Sequence, residues 1–194
     1  MSIKRAATGF KGLALAPVLE NTLTSYRSEQ PEALPFAGGM TRTSKESTTD
    51  LYFDDDIYAQ IKNIVGEDVE IRVAEVALSR MAELGLGQWD EETQTLEADF
   101  SIPSKEYTLR FVVDTVDGLP YYFNYRVFEM TGIRFDNFTT KKDSVTVCEV
   151  IITGVFKRPQ LPSLAPWASM QLKDDKSNEA ACVAFWTAGE SKPA

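Results

Sequence analysis

The chain has 194 residues, 43% of them hydrophobic, and a formal net charge of −9 from 29 acidic and 20 basic residues. This length and composition predict one domain with a sizeable core. The negative balance argues against tight binding to nucleic acid or to anionic membranes, because both need a basic footprint. The absence of histidine excludes imidazole metal ligands and Ser-His-Asp catalysis.

The N-terminal residues 1–10 are small and polar, and we predict that they form a mobile arm. They contain two bases but no apolar stretch after them, so they do not resemble a secretory signal. Residues 12–19, GLALAPVL, predict a first strand. No apolar run approaches the roughly 18 residues that a membrane-spanning helix needs, so we expect no membrane partner.

A hairpin with an overlong polar arm is predicted at residues 36–56. Short apolar pieces, Leu34-Pro35-Phe36 and Leu51-Tyr52-Phe53, flank a stretch in which residues 41–50 contain no apolar side chain. Most hairpin loops have two to five residues, so a longer one is usually functional or disordered. The polar residues of the arm are Thr41, Arg42, Thr43, Ser44, Lys45, Glu46, Ser47, Thr48, Thr49 and Asp50.

Three consecutive carboxylates, Asp54, Asp55 and Asp56, follow the arm and lie between aromatic residues. Such a run fits a solvated turn, or an acidic surface that faces a molecule which the protein must not bind. A calcium-binding EF-hand loop would need glycine at Ala59 and glutamate at Val65, which excludes that motif.

The middle of the chain changes from strand to helix periodicity. Val69, Ile71 and Val73 alternate with polar residues and predict a half-buried strand after a turn at residues 66–68. A helix is predicted at residues 75–84, because the apolar residues from Ala74 to Leu84 fall on one helical face and Gly85 follows. This short helix must pack on a sheet, since three turns are marginal alone.

Beyond residue 95 the pattern returns to strands. Alternation predicts strands at residues 96–100 and 107–114, and Asp117-Gly118 predicts a hairpin into a strand at residues 121–128. Residues 130–137 are predicted to form a connection and residues 141–143 a turn. The strand at residues 145–156 is apolar on both faces, so both faces must be covered. A last strand is predicted at residues 180–187, with buried Cys182, Val183 and Phe185.

About eight strands with turn signals between them predict a mainly β fold. The expected architecture is a β-sandwich or partly closed barrel at residues 11–158, with one flanking α-helix and a long polar β-hairpin arm. Residues 159–194 are interpreted as a proline-rich connection, a closing strand and a polar tail.

Few residues suggest chemistry. Cys148 and Cys182 lie in apolar runs without metal-ligand spacing, which favours buried free thiols over a disulfide. The aromatic run at residues 121–125 fits a half-core, half-interface strand better than a platform for sugar rings. We find no catalytic residue and no cofactor or metal motif, and therefore expect a protein that is not an enzyme.

Taken in order, four segments resemble the major tail tube protein of long-tailed, non-contractile bacteriophages. They are residues 9–16 (GFKGLALA), residues 51–58 (LYFDDDIY), the strand-to-helix step at residues 67–84 and the strand ending at residues 152–157 (ITGVFK). The resemblance covers most of residues 9–158 and rests on the order and spacing of these segments.

The resemblance implies a structural protein of the phage virion. Members of this family form hexameric rings of β-sandwich subunits with one flanking helix, and the rings stack around a tape-measure protein. The other implied partners are tail terminator and initiator proteins, with assembly in the host cytoplasm. Double-stranded DNA passes transiently through the lumen, which is typically acidic. Residues 41–50 are then candidates for a ring-stacking arm, and Asp54, Asp55 and Asp56 for lumen-facing residues.

A second class of protein remains open from the residues themselves. A β-sandwich with exposed aromatic side chains also fits a receptor- or glycan-binding module of a virion. In that case the three aspartates only keep the outer surface soluble.

Overall fold

The computed structural model describes residues 7–34, 37–53, 56–74, 76–98, 105–136 and 149–193. These residues form twelve strands and two helices. The strands are β1 (Ala7–Asn21), β2 (Ser25–Ser28), β3 (Glu32–Leu34), β4 (Ala37–Phe53), β5 (Asp56–Val73), β6 (Gly87–Asp90), β7 (Thr95–Ala98), β8 (Glu106–Thr115), β9 (Tyr121–Asp136), β10 (Glu149–Lys157), β11 (Trp167–Gln171) and β12 (Ser191–Pro193). The helices are α1 (Leu78–Glu83) and α2 (Glu179–Thr187).

Ten of the strands form one antiparallel sheet in the order β12-β2-β1-β8-β9-β10-β5-β4, with β11 paired to β9 and β3 to β1. Strands β6 and β7 form a separate hairpin. In the described part of the chain, the end strands β12 and β4 do not pair with each other, so the sheet does not close into a barrel. The predicted mainly β, sandwich-like fold is confirmed, and its barrel alternative is not.

The main core covers one face of this sheet. Alternate residues of β5, namely Val69, Ile71 and Val73, are buried as their spacing predicts. From the other side, Met81 and Leu84 at α1 join the same cluster, and apolar residues of the β6–β7 region pack against it. The helix and this hairpin therefore form the second layer over the core face.

Helix α1 is shorter than the predicted helix at residues 75–84. It begins at Leu78, its N-cap residue Ala77 offers no side-chain hydrogen bond, and its first turn contains no acidic residue. Without such a cap the first turn has little to hold it. The predicted C-terminal stop is confirmed, because Gly85 adopts a left-handed φ of 102°. Glu75 lies outside the described residues.

The predicted last strand at residues 180–187 is wrong, because these residues form helix α2. Cys182, Phe185 and Trp186 are spaced i, i+3 and i+4 and turn toward the sheet, whereas Val183 is 50% exposed. An apolar run of eight residues does not distinguish a buried strand from a helix. Of the three side chains predicted to be buried, Cys182 is fully buried and is a free thiol, and Phe185 is half-buried.

Three smaller predictions also need correction. Residues 7–10 begin β1, which pairs with β8, so they are not part of a mobile arm, and residues 1–6 lie outside the described residues. Residues 66–68 lie within β5 instead of forming a turn, and residues 130–136 continue β9 instead of forming a connection. The hairpin at Asp117-Gly118 is confirmed, with Gly118 at a φ of 72°. Cys148 and the predicted turn at residues 141–143 lie outside the description.

The second face of the sheet is covered at one end by α2 and by the irregular parts of the C-terminal segment, residues 159–193, whose strands β11 and β12 belong to the sheet itself. The Arg126 guanidinium donates to both carboxylate oxygens of Glu190, at 2.8–3.0 Å, and to the Ala165 carbonyl oxygen at 2.7 Å. Arg110, only 2% exposed, donates to the Phe185 carbonyl oxygen at 2.7 Å. Arg110 is buried because this segment lies over it.

Tyr26 lies fully buried beneath the same segment. From its burial we predict that the protein loses stability at alkaline pH. Its hydroxyl shares a hydrogen bond with Thr108 at 2.7 Å and donates to the Arg126 carbonyl oxygen at 2.5 Å. Burial raises the pKa of Tyr26 from 10.0 to about 12. Between these values the unfolded chain loses the proton and the folded chain keeps it, so the free energy of unfolding falls as pH rises above 10, by about 2.7 kcal/mol once the pH exceeds both values.

The measurement is urea unfolding at pH 9 and pH 11 for the wild type and for Tyr26→Phe. We expect the wild type to lose more stability between the two pH values than the variant does. Equal losses would show that the pKa of Tyr26 is not raised in the folded protein.

Candidate assembly surfaces

The most prominent feature of the molecule is a hairpin that leaves the sheet. Strands β4 and β5 pair from Ala37↔Val73 to Phe53↔Asp56, whereas β10 pairs with β5 only from Val73 to Glu67. Residues 45–66, which we call the projecting hairpin, therefore extend past the rest of the sheet. At about 3.3 Å per residue, nine residues of paired strand reach about 30 Å.

The predicted arm residues lie on this hairpin, but as its first strand and not as its loop. Residues 41–44 pair with the part of β5 that lies within the sheet, and residues 45–50 lie in the projecting part. Residues 41–46 are exposed. Strand β4 ends at Phe53, which pairs with Asp56. Because residues 41–50 contain no apolar side chain, their composition did not indicate a strand. The role of residues 41–50 in ring stacking stays a prediction.

Of the predicted lumen-facing aspartates, Asp54 and Asp55 lie outside the described residues. Asp56 is the first residue of β5 and pairs with Phe53, at the end of the hairpin that is farthest from the sheet. The lumen-facing role of the three aspartates stays a prediction.

The root of the hairpin is fixed by charged and aromatic contacts. Arg42 donates a hydrogen bond to the Tyr125 hydroxyl, lies 5.5 Å from the centroid of that ring and is 3.4 Å from the Glu67 carboxylate. Burial raises the pKa of the Tyr125 hydroxyl, an effect that the Arg42 charge opposes. Lys45 pairs with Asp68 at 2.7 Å. These contacts set the direction in which the hairpin leaves the sheet.

Gly66 marks the point where β5 separates from β10. A Cβ atom at this position would lie 2.8 Å from the Phe156 carbonyl oxygen, closer than real Cβ atoms approach. The glycine that suggested a turn is therefore required by a close approach between strands. Glycine within a strand often has this cause.

An aromatic pocket lies beside the root, and we call it the root pocket. Its volume is about 220 Å³. The Tyr125 ring is 4.1 Å from that of Phe156 and 6.1 Å from that of Trp167, and Trp167 is 47% exposed. The lining residues are Gly66, Glu67, Tyr125, Phe156, Lys157, Arg158, Pro166 and Trp167. The aromatic run at residues 121–125 supplies only Tyr125 to this pocket, and Phe123 and Tyr125 pack on the core as expected.

A polar concave surface, which we call the open face, lies on the second face of the sheet beside the hairpin. It has a volume of about 550 Å³ and is lined by Thr41, Thr43, Asp68, Val69, Glu70, Arg72, Thr131, Thr153 and Gly154. Arg72 pairs with Glu70 at 3.0 Å and with Glu149 at 3.4 Å. The alternation of β5 indicated a polar face there, but the strands that extend it are remote in sequence and were not predictable.

Comparisons with known proteins leave the family open. The chain matches no protein-family profile and no curated protein. Among solved structures, it is similar to a chain of the six-fold symmetrised cryo-EM structure of the anti-feeding prophage baseplate. The similarity covers 88% of this chain and 97% of that chain, at a TM-score of 0.44 and 10% identity. At this level the likeness identifies neither a family nor a function.

Among the described residues, no helix is long and apolar enough to cross a membrane.

Proposed function

We propose that this chain is a structural subunit of a bacteriophage tail tube. It assembles into stacked, hexameric rings, and DNA passes through their lumen to the host. Its partners are further copies of itself, a tape-measure protein and the terminator and initiator proteins of the tail. Its work is mechanical, so it needs no catalytic residue and no cofactor.

The observation that carries this proposal is the projecting hairpin. A two-stranded hairpin is marginally stable in water unless something packs on it. The paired strands of residues 45–66 extend past β10 and past the core that stabilises the rest of β5. So long a two-stranded extension is expected to be stable only when another subunit packs on it.

Two further features support assembly. Strand β4 is an edge of the large sheet, and an edge strand carries unpaired backbone groups that pair readily with another chain. The net charge of −9 disfavours retention of a polyanion, as a channel for DNA requires. The order and spacing of the four segments that resemble tail tube proteins add a functional context to these features.

A glycan-binding module of a virion is the second candidate. Trp167 favours it, because a half-exposed indole stacked on Tyr125 is a surface on which a sugar ring can lie. This reading leaves the projecting hairpin without a role.

Sedimentation velocity over a wide range of concentration separates the two candidates. The tail tube predicts slow sedimentation of a monomer when dilute and a shift to large species at high concentration, without added ligand. A glycan-binding module predicts a single small species throughout and retardation on a glycan column. That second pattern would contradict the tail tube.

A further inference from the structure

The projecting hairpin changes its backbone structure where it leaves the sheet. Lys45 pairs with Gly66 and Glu46 pairs with Ile64, so Val65 is an extra residue of β5 and forms a β-bulge. A bulge interrupts the ladder of hydrogen bonds and bends the strand that contains it. The pairing of β10 with β5 reaches no further than the residue after Gly66. The bulge therefore lies where the hairpin loses the support of β10.

One ion pair holds the hairpin root on each face of the sheet, and we call these two contacts the clasp. On the core face, Arg42 lies 3.4 Å from the Glu67 carboxylate and donates a hydrogen bond to the Tyr125 hydroxyl. On the open face, Lys45 lies 2.7 Å from Asp68 and joins the first pair of the projecting hairpin to the supported part of β5. The four charged side chains are 29–51% exposed. Ion pairs this exposed are weak and are screened by salt.

The core-face half of the clasp is not fully closed. Within the described part of the chain, Oε2 of Glu67 is buried and accepts no hydrogen bond, whereas Nη1 of Arg42, 3.4 Å away, donates to the Tyr125 hydroxyl. A buried acceptor without a donor is costly. A small shift of the root would let Arg42 donate to Glu67 instead. The root therefore has a second arrangement that its own residues can stabilise.

We propose that the root of the projecting hairpin is a hinge, which the clasp holds in one direction at low ionic strength and releases at high ionic strength. The hairpin turns as a unit at residues 64–66, because hinges need only a few residues that absorb the change in φ and ψ. This device adds regulation to the proposed function, and only its consequence for assembly rests on that function. A hairpin fixed in one direction loses less freedom when the subunit assembles.

The direction of the hairpin can be measured in dilute full-length protein. Spin-labelled unnatural amino acids replace Asp50 in the hairpin and Val116 in the exposed β8–β9 turn, and double electron–electron resonance gives the distance between them. Asp50 lies about 15 Å beyond the bulge, so a turn of about 20° moves it by about 5 Å. The Debye length is about 10 Å at 0.1 M salt and about 3 Å at 1 M salt, so the second condition screens the clasp.

Two double variants accompany the wild type. The clasp variant carries Arg42→Gln and Lys45→Gln. The control variant carries Arg80→Gln and Lys11→Gln, which remove the same two kinds of charge from ion pairs away from the root. We expect one narrow distance for the wild type and the control at low salt, and a distribution broader by about 5 Å at high salt. The clasp variant should be broad in both conditions. Lys45→Gln alone breaks only the exposed pair and should broaden the distribution in part.

Other results would overturn the hinge. The same narrow distance at both salt concentrations in the wild type would reject it and would leave the tail tube intact, because the measurement uses dilute monomers. Equal broadening of the control at low salt would assign the effect to lost charge in general. Amide hydrogen exchange must show residues 47–63 equally protected at both salt concentrations, since lost protection would mean that the strands separate. A salt-dependent distance in a protein that never assembles would support the hinge and reject the tail tube.

Discussion

Replacing residues 47–63 with Asn-Gly is expected to abolish assembly and to leave the subunit folded. The change joins Glu46 to Ile64, which are partners in the β4–β5 register, through a two-residue turn that suits a hairpin. It keeps Arg42, Lys45 and their contacts at the root, and all core residues of β5. Only paired strand that extends past β10 is lost.

The measurement combines thermal unfolding with sedimentation velocity. The melting temperature should stay within a few degrees of the wild type, while the large species disappear at every concentration. Shortening the β6–β7 turn, by replacing residues 91–94 with Asn-Gly, is the matched control, because those residues are also exposed, and it should assemble normally. Normal tubes from the variant that lacks residues 47–63 would contradict a role of the hairpin in assembly.

The structure changes this experiment from the one that the sequence suggests. If residues 42–49 formed a loop, deleting them would leave the subunit folded and remove only the assembly contact. In the observed fold the same deletion removes Arg42, which contacts Tyr125 and Glu67, and shifts the register of β4 against β5. Loss of assembly after that deletion would not separate misfolding from a lost contact.

Truncation after Pro166 is expected to destabilise the subunit severely. It removes β11, α2 and β12, together with Glu190, which holds the buried guanidinium of Arg126. Breaking one buried ion pair by removing a single partner costs about 3–5 kcal/mol. Typical domains have only about 5–15 kcal/mol in total. The truncation also removes the Phe185 carbonyl oxygen that accepts from the buried Arg110, so we expect little folded protein at 37 °C.

Truncation after Glu190 provides the control, because it keeps α2 and the pair with Arg126 and removes only four residues. The three of these that the structure describes, Ser191–Pro193, are exposed. Denaturant unfolding followed by circular dichroism should show a small change for this control. If the protein truncated after Pro166 unfolds at the same denaturant concentration as the wild type, residues 167–194 are a surface appendage.

The sequence was most informative where one face of a strand is buried. Val69, Ile71 and Val73 alternate with charged residues because one side meets the core and the other meets solvent, and that alternation predicts the strand directly. The hairpin at Gly118 could also be predicted, because the turn requires a positive φ at this position and glycine adopts one readily. Local physics determines both features.

The sequence was least informative where distant segments decide the outcome. Charged residues such as Arg110 and Arg126 are normally exposed, and they are buried only because the C-terminal segment covers them. The sequence of α2 is a short apolar run that fits the period of a strand as well as that of a helix. The first strand of the hairpin has no apolar alternation over residues 41–50 to reveal its pairing. The root pocket joins Tyr125, Phe156 and Trp167 from three strands, and only the register of the sheet brings them together.

Electron microscopy of the purified wild-type protein at high concentration tests the central claim most directly. The account predicts rings of six subunits that stack into tubes with an open central channel. Monomers or closed dimers at every concentration, without rings or tubes, would contradict it.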